Sequence, residues 1–155
     1  MQSNTFDGQY DGAGKNIAVV RSRFNEQVTR GLRDACTATL EKYGVAADAI
    51  VVVEVPGAFE IPFAVSHLLQ EKKHDAIIAL GAVVKGETKH DEYIAHAVSQ
   101  QLMALGVEHG VPVIFGVLTP NTMEQAVARS SDDEHNKGRE AALVALEMMH
   151  AAHNT

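Results

Sequence analysis

Ala76-Ile77-Ile78-Ala79-Leu80-Gly81-Ala82-Val83-Val84-Lys85-Gly86-Glu87-Thr88-Lys89-His90 decides how this chain is read. The apolar run Ala76–Val84 predicts a buried strand, and beyond it a helical pattern begins at about Thr88. That pattern runs to Leu105, with Ile94, Ala97, Val98, Leu102 and Leu105 at helical spacing. A strand that hands over to a helix through a glycine and a hydroxyl residue makes an anion site. The free N–H groups of the first helical turn point outward, and the helix dipole favours negative charge there. His90 falls in that same turn. A proton-transfer residue beside a phosphate cradle points to chemistry on a small phosphorylated molecule.

Working outward, three more apolar runs read as strands: Ile17–Val20, Ile50–Val55 and Val111–Leu118. They are nearly continuous, as expected for parallel strands covered on both faces. Helical patterns occupy Asn25–Tyr43, Glu60–Gln70, Met123–Ala128 and Gly138–Ala151, with Pro62 tolerated in a first turn. The alternation βαβαβαβα predicts a three-layer α/β sandwich: a four-stranded parallel sheet of flavodoxin-like winding, with helices on both faces. Residues 1–16 are polar and Gly-rich, and are expected as a mobile tail or an arm that pairs with a neighbouring subunit's sheet. The 155 residues are expected to form one domain.

Composition excludes several function classes. At 46% hydrophobic and 21% charged the chain reads as an ordinary soluble protein. Its formal net charge of −7 argues against a nucleic-acid or anionic-membrane partner, while leaving room for a local basic pocket. Cys36 is the only cysteine, so no intrachain disulfide forms and a cysteine metal site is disfavoured. That fits a reducing cytosol, and a cytoplasmic location is expected. The polar start, Met1-Gln2-Ser3-Asn4-Thr5, does not read as a secretory signal. No apolar run approaches the length of a membrane helix. There is no His-Glu-x-x-His, no Walker loop, and no Gly-x-Gly-x-x-Gly after a strand.

In a doubly wound sheet, ligands bind beyond the carboxyl ends of the strands. After the first strand, Phe24 either stacks on a planar heterocycle or packs under its loop, and Asn25 reads as an N-cap. After the second, Pro56-Gly57 signals a turn. Glu60 there either accepts hydrogen bonds from sugar hydroxyls or simply favours the helix dipole. After the third, Thr88 fits a capping-box spacing with Asp91. His90 is either a proton shuttle or an exposed polar side chain. The helix dipole opposes a positive charge on it, and Asp91 and Glu92 favour one. After the fourth, Phe115 reads most simply as core. Arg129 is either a bidentate phosphate clamp or a solvated cation near a helix end.

One at a time these signals are weak, but their order is specific. Arg23-Phe24-Asn25, Val55-Pro56-Gly57-Ala58-Phe59-Glu60-Ile61-Pro62, Gly81-Ala82-Val83-Val84-Lys85-Gly86-Glu87-Thr88-Lys89-His90, Phe115-Gly116-Val117-Leu118-Thr119, Glu124-Gln125-Ala126 with Arg129, and Asn136-Lys137-Gly138 follow one another. In this series the chain resembles the lumazine synthase family of riboflavin biosynthesis, over roughly Asn16 to Met149. The resemblance implies condensation of 5-amino-6-(D-ribitylamino)uracil with 3,4-dihydroxy-2-butanone 4-phosphate, with no metal or organic cofactor. It implies roles by matching position. Phe24 stacks on the pyrimidine, and Ala58, Phe59 and Glu60 line the ribitylaminouracil site. Ala82, Val83 and Val84 contact the uracil through backbone groups. Glu87, Thr88 and Arg129 hold the phosphate, and His90 donates and accepts protons. Phe115 and Lys137 approach from a neighbouring subunit.

The chain departs from the family pattern at Asp91, where an aromatic is usual, at Lys85 in place of arginine, and at Pro120 in place of threonine. Ser131-Asp132-Asp133-Glu134-His135 is an acidic stretch where many members carry Gly and Lys. The resemblance implies cyclic pentamers with sites at subunit interfaces, closing in many members into an icosahedral shell, and a riboflavin synthase partner. Three other readings stay open: a riboflavin synthase of the related archaeal type, a non-catalytic lumazine- or flavin-binding homologue, and a pure shell protein. Thr88 and Arg129 speak against the first, and His90 against the second.

Overall fold

Alternating side chains on four short strands set the architecture. In the computed structural model, which describes residues 5–154, the strands are β1 (Ile17–Ser22), β2 (Ile50–Val55), β3 (Ala76–Ala82) and β4 (Val113–Leu118). All pair in parallel, in the order β2-β1-β3-β4. Ile17 and Val19 face one side of the sheet and Ala18 and Val20 the other. A strand buried on both faces is apolar at every position, which is why the runs do not alternate.

Helices α1 (Glu26–Lys42) and α5 (Lys137–Asn154) cover the first face, and α2 (Ile61–Gln70) and α3 (His90–His109) cover the second. The short α4 (Met123–Ala128) joins the first side through Ala126. The four-stranded α/β sandwich is therefore as expected. Two assumptions about burial are not. β2 is an edge strand whose Val51 and Val52 are exposed, so it is not covered on both faces. Phe115 on the other edge strand is 46% exposed and is not core.

Boundaries shift for local reasons. β1 continues through Arg21 and Ser22, both buried, because Arg21 finds Glu54 at 2.5 Å and Thr29 at 3.2 Å. β3 ends at Ala82 rather than Val84. Even so, the Val83 N–H still donates to Leu118 O (2.8 Å) and the Lys85 N–H to Pro120 O (3.0 Å). β4 starts at Val113, because the Val111 N–H is turned back to Gly106 O at the end of α3. That helix starts at His90, not Thr88, and runs past Gly106 to a left-handed cap at Gly110.

The described part of the N-terminal segment lies on its own chain. The Gly12 N–H donates to Tyr43 O (2.8 Å), and Phe6, Tyr10 and Tyr43 form a run of tilted ring contacts. Residues 1–4 lie outside the described residues.

Candidate active site

The strand order places a crevice where theory expects one. From β1 the chain winds outward to β2 on one side and to β3 and β4 on the other, so the topological switch lies between β1 and β3. A cleft of about 730 Å³ opens at the carboxyl ends of β1, β2 and β3 and at the start of α3. Three loops build its walls.

The loop after β1 brings Phe24. The Arg23 N–H donates to Val55 O (2.8 Å) and the Phe24 N–H to Pro56 O (3.0 Å), so this loop extends the β1–β2 pairing. Asn25 takes a left-handed conformation (φ 60°). Its side chain does not cap α1. Instead Asn25 Nδ2 donates to Ala82 O at 3.0 Å, which bridges the switch point. Phe24 is left 71% exposed, lining the cleft, and does not pack under its loop.

The loop after β2 supplies Pro56, Gly57 and a 3₁₀ turn, Ala58–Glu60, all lining the cleft. Ala58 is buried, while Phe59 and Glu60 are exposed. From β3 come Ala82, Val83 and Val84, then Gly86, Thr88, His90 and Asp91. The predicted capping box does not form. Thr88 Oγ1 accepts the N–H of His90, two residues on (3.4 Å), because α3 starts two residues later than expected. Glu87 is exposed between Gly86 and Thr88 and does not line the cleft. Sequence reasoning misses Tyr93, one turn beyond His90, and gives Ile94 only a place on the apolar helix face; Ile94 packs against the core and, with Tyr93, also lines the cleft. An aromatic three residues after a candidate histidine, on the same helix face, was the available signal.

The remaining residues sit elsewhere. Phe115, Arg129 and Lys137 line a second concavity of about 800 Å³, formed by the free edge of β4 with α4 and α5. The two concavities share no lining residue. Arg129 ends α4 with Nη1 donating to Gln125 O (3.1 Å), and Lys137 Nζ lies 2.8 Å from Glu140.

Charge separates the two in the same way. The first cleft is lined by two carboxylates, Glu60 and Asp91, and by His90, with no lysine or arginine among its described lining residues. The second carries Arg129 and Lys137, with Glu140 paired to the lysine. Among the described residues no cluster of three or more His, Cys, Asp or Glu could hold a metal, and no helix is long and apolar enough to cross a membrane.

The family model of 6,7-dimethyl-8-ribityllumazine synthase matches residues 14–153. The chain belongs to the 6,7-dimethyl-8-ribityllumazine synthase family. A protein of Kosmotoga olearia named 6,7-dimethyl-8-ribityllumazine synthase is 49% identical over 143 residues, covering 92% of this chain and 92% of that one. The family match spans all four strands and both concavities.

Proposed function

We propose that this protein condenses 5-amino-6-(D-ribitylamino)uracil with 3,4-dihydroxy-2-butanone 4-phosphate, giving 6,7-dimethyl-8-ribityllumazine, phosphate and water, at a site shared by two subunits. The observation that carries the reading is the convergence of Phe24, Glu60, Thr88 and His90 on one cleft at the switch point. The exposed Phe24 ring offers a face for the pyrimidine. Glu60 is free to accept from the ribityl hydroxyls, and backbone groups of Ala82, Val83 and Val84 meet the uracil edge.

The phosphate enters at the first turn of α3, against the Thr88 hydroxyl and beside Glu87. A dianion there needs a fixed cation, and the cleft wall offers none of its own. Arg129 supplies it from the second concavity of a neighbouring copy, with Phe115 and Lys137 closing over the ring. Two different faces meeting head to tail exclude a two-fold dimer and generate a ring when the rotation closes. The family's cyclic pentamer satisfies that geometry, and a shell of pentamers, a cytoplasmic location and a riboflavin synthase partner belong to the same proposal.

Catalysis then needs little beyond placement and proton transfer. Holding amine and ketone together removes much of the entropic barrier. The 5-amino group attacks the ketone, and loss of water leaves an imine. Phosphate departs as the chain beside it is deprotonated, and the ribitylamino nitrogen closes the ring with loss of a second water. His90 is the proton carrier within reach of these steps.

Lumazine absorbance and phosphate release, followed together, test the reading. His90→Ala should lower kcat by about two to four orders of magnitude. Arg129→Ala should raise KM for the phosphate substrate and leave KM for the uracil substrate nearly unchanged. Wild-type protein that does not exceed the uncatalysed rate would overturn the proposal.

A further inference from the structure

We infer that Asn136 is the positioning residue that sets Arg129 for the phosphate, and this rests on the reading of Arg129 given above. Asn136 is 1% exposed and uses its whole hydrogen-bonding capacity. Its Oδ1 accepts from the N–H groups of Gly138 (2.7 Å) and Arg139 (3.2 Å), which caps α5. Its Nδ2 donates to Ser131 O (2.9 Å) and to Gly31 O of α1 (3.2 Å). The two arms therefore do different work. The acceptor fixes the start of α5. The donors pin the chain just beyond Arg129 to the middle of α1.

The loop from Arg129 to Lys137 closes on itself as well, since the Lys137 N–H donates to Arg129 O at 2.8 Å. Its seat on α1 leaves no slack. A Cβ on Gly31 would run into the Ser130 carbonyl, and a Cβ on Gly138 into the Leu32 carbonyl. Arg129 thus leaves a backbone held from α1, from α5 and from its own loop, although its side chain is exposed. A long side chain binds an anion more tightly when its root is fixed, because less freedom is lost on binding.

Asn136→Asp separates the two arms. Aspartate caps a helix as well as asparagine does, but in its ionised form it has nothing to donate to Ser131 O or Gly31 O, and when protonated it donates to one of them at most. In the full assembled enzyme, Asn136→Asp should raise KM for the phosphate substrate about tenfold, with less than about a twofold change for the uracil substrate. Added to Arg129→Ala it should cause no further rise, because the residue it acts through is gone. Gly31→Ala moves the same loop from the α1 side and should give the same split.

A phosphate KM left unchanged by both variants would overturn the role. So would a fall in kcat alone, or a full additional effect in the Arg129→Ala background. An Arg129→Ala enzyme with normal phosphate KM would overturn the reading of Arg129 itself, and the positioning role with it.

Discussion

Phe24 is held by its backbone while its ring stays free. The bond from its N–H to Pro56 O, and the Asn25 side chain reaching Ala82 O, fix the loop on both sides of the switch point. A side chain whose backbone is fixed before the substrate arrives loses less freedom on binding. Phe24→Ala should therefore raise KM for the uracil substrate about tenfold or more while leaving KM for the phosphate substrate alone. A lost kcat with both KM values intact would place Phe24 in the chemistry instead. Its two readings, stacking and packing, look identical in sequence, and only exposure separates them. Thr88 teaches the converse. Its spacing to Asp91 fits a capping box, yet a start two residues later leaves its hydroxyl on the N–H of His90.

At the scale of elements, a charged cluster ties β1, β2 and α1 together near the site. Buried Arg21 meets Glu54 on β2, and Arg33 of α1 reaches the same carboxylate at 3.5 Å. The Arg21 hydrogen bond holds the Glu54 carboxyl below its ordinary value of 4.5, helped by the charges of Arg21, Arg33 and Arg23 and opposed by desolvation. A depressed carboxylate stabilises the fold above its unfolded value, and that contribution is lost as pH falls through the folded one. Thermal stability of the wild type should thus fall more steeply below pH 4.5 than that of Glu54→Gln. Parallel acid limbs would contradict this.

The same cluster explains what the sequence hid. The apolar stretches Ile50–Val55 and Ala76–Ala82 announce their strands, but Arg21 and Ser22 look like loop until Glu54 and Thr29 are seen beside them. Gly106 looks like a helix stop, yet it sits within α3 where the helix passes close to Val111 and Val113. Phe115 looks like core because apolar residues in a strand usually are, and the position of β4 at the sheet edge makes it an exception.

At the scale of the molecule, the order of motifs along the chain is legible and the resemblance sets Phe115 and Lys137 apart, but the place of Arg129 beside them is not legible. His90 and Arg129 both follow apolar strands, and nothing in their spacing tells that one lines the switch-point cleft and the other the free β4 edge. On the proposed reading that division matters: the cleft that carries His90 has no lysine or arginine among its described lining residues, while Arg129 and the Lys137–Glu140 pair lie on the other face.

Mixed assembly tests this division most directly. His90→Ala subunits keep an intact Arg129 face, and Arg129→Ala subunits keep an intact His90 cleft. The two are assembled together in equal amounts and assayed at a phosphate-substrate concentration where each parent alone is nearly inactive. If sites form between neighbours, about a quarter of the interfaces pair a whole cleft with a whole Arg129 face, and activity should rise toward a quarter of the wild-type value. If every site lies within one chain, the mixture will show only the average of its two parents, and the shared site will have been contradicted.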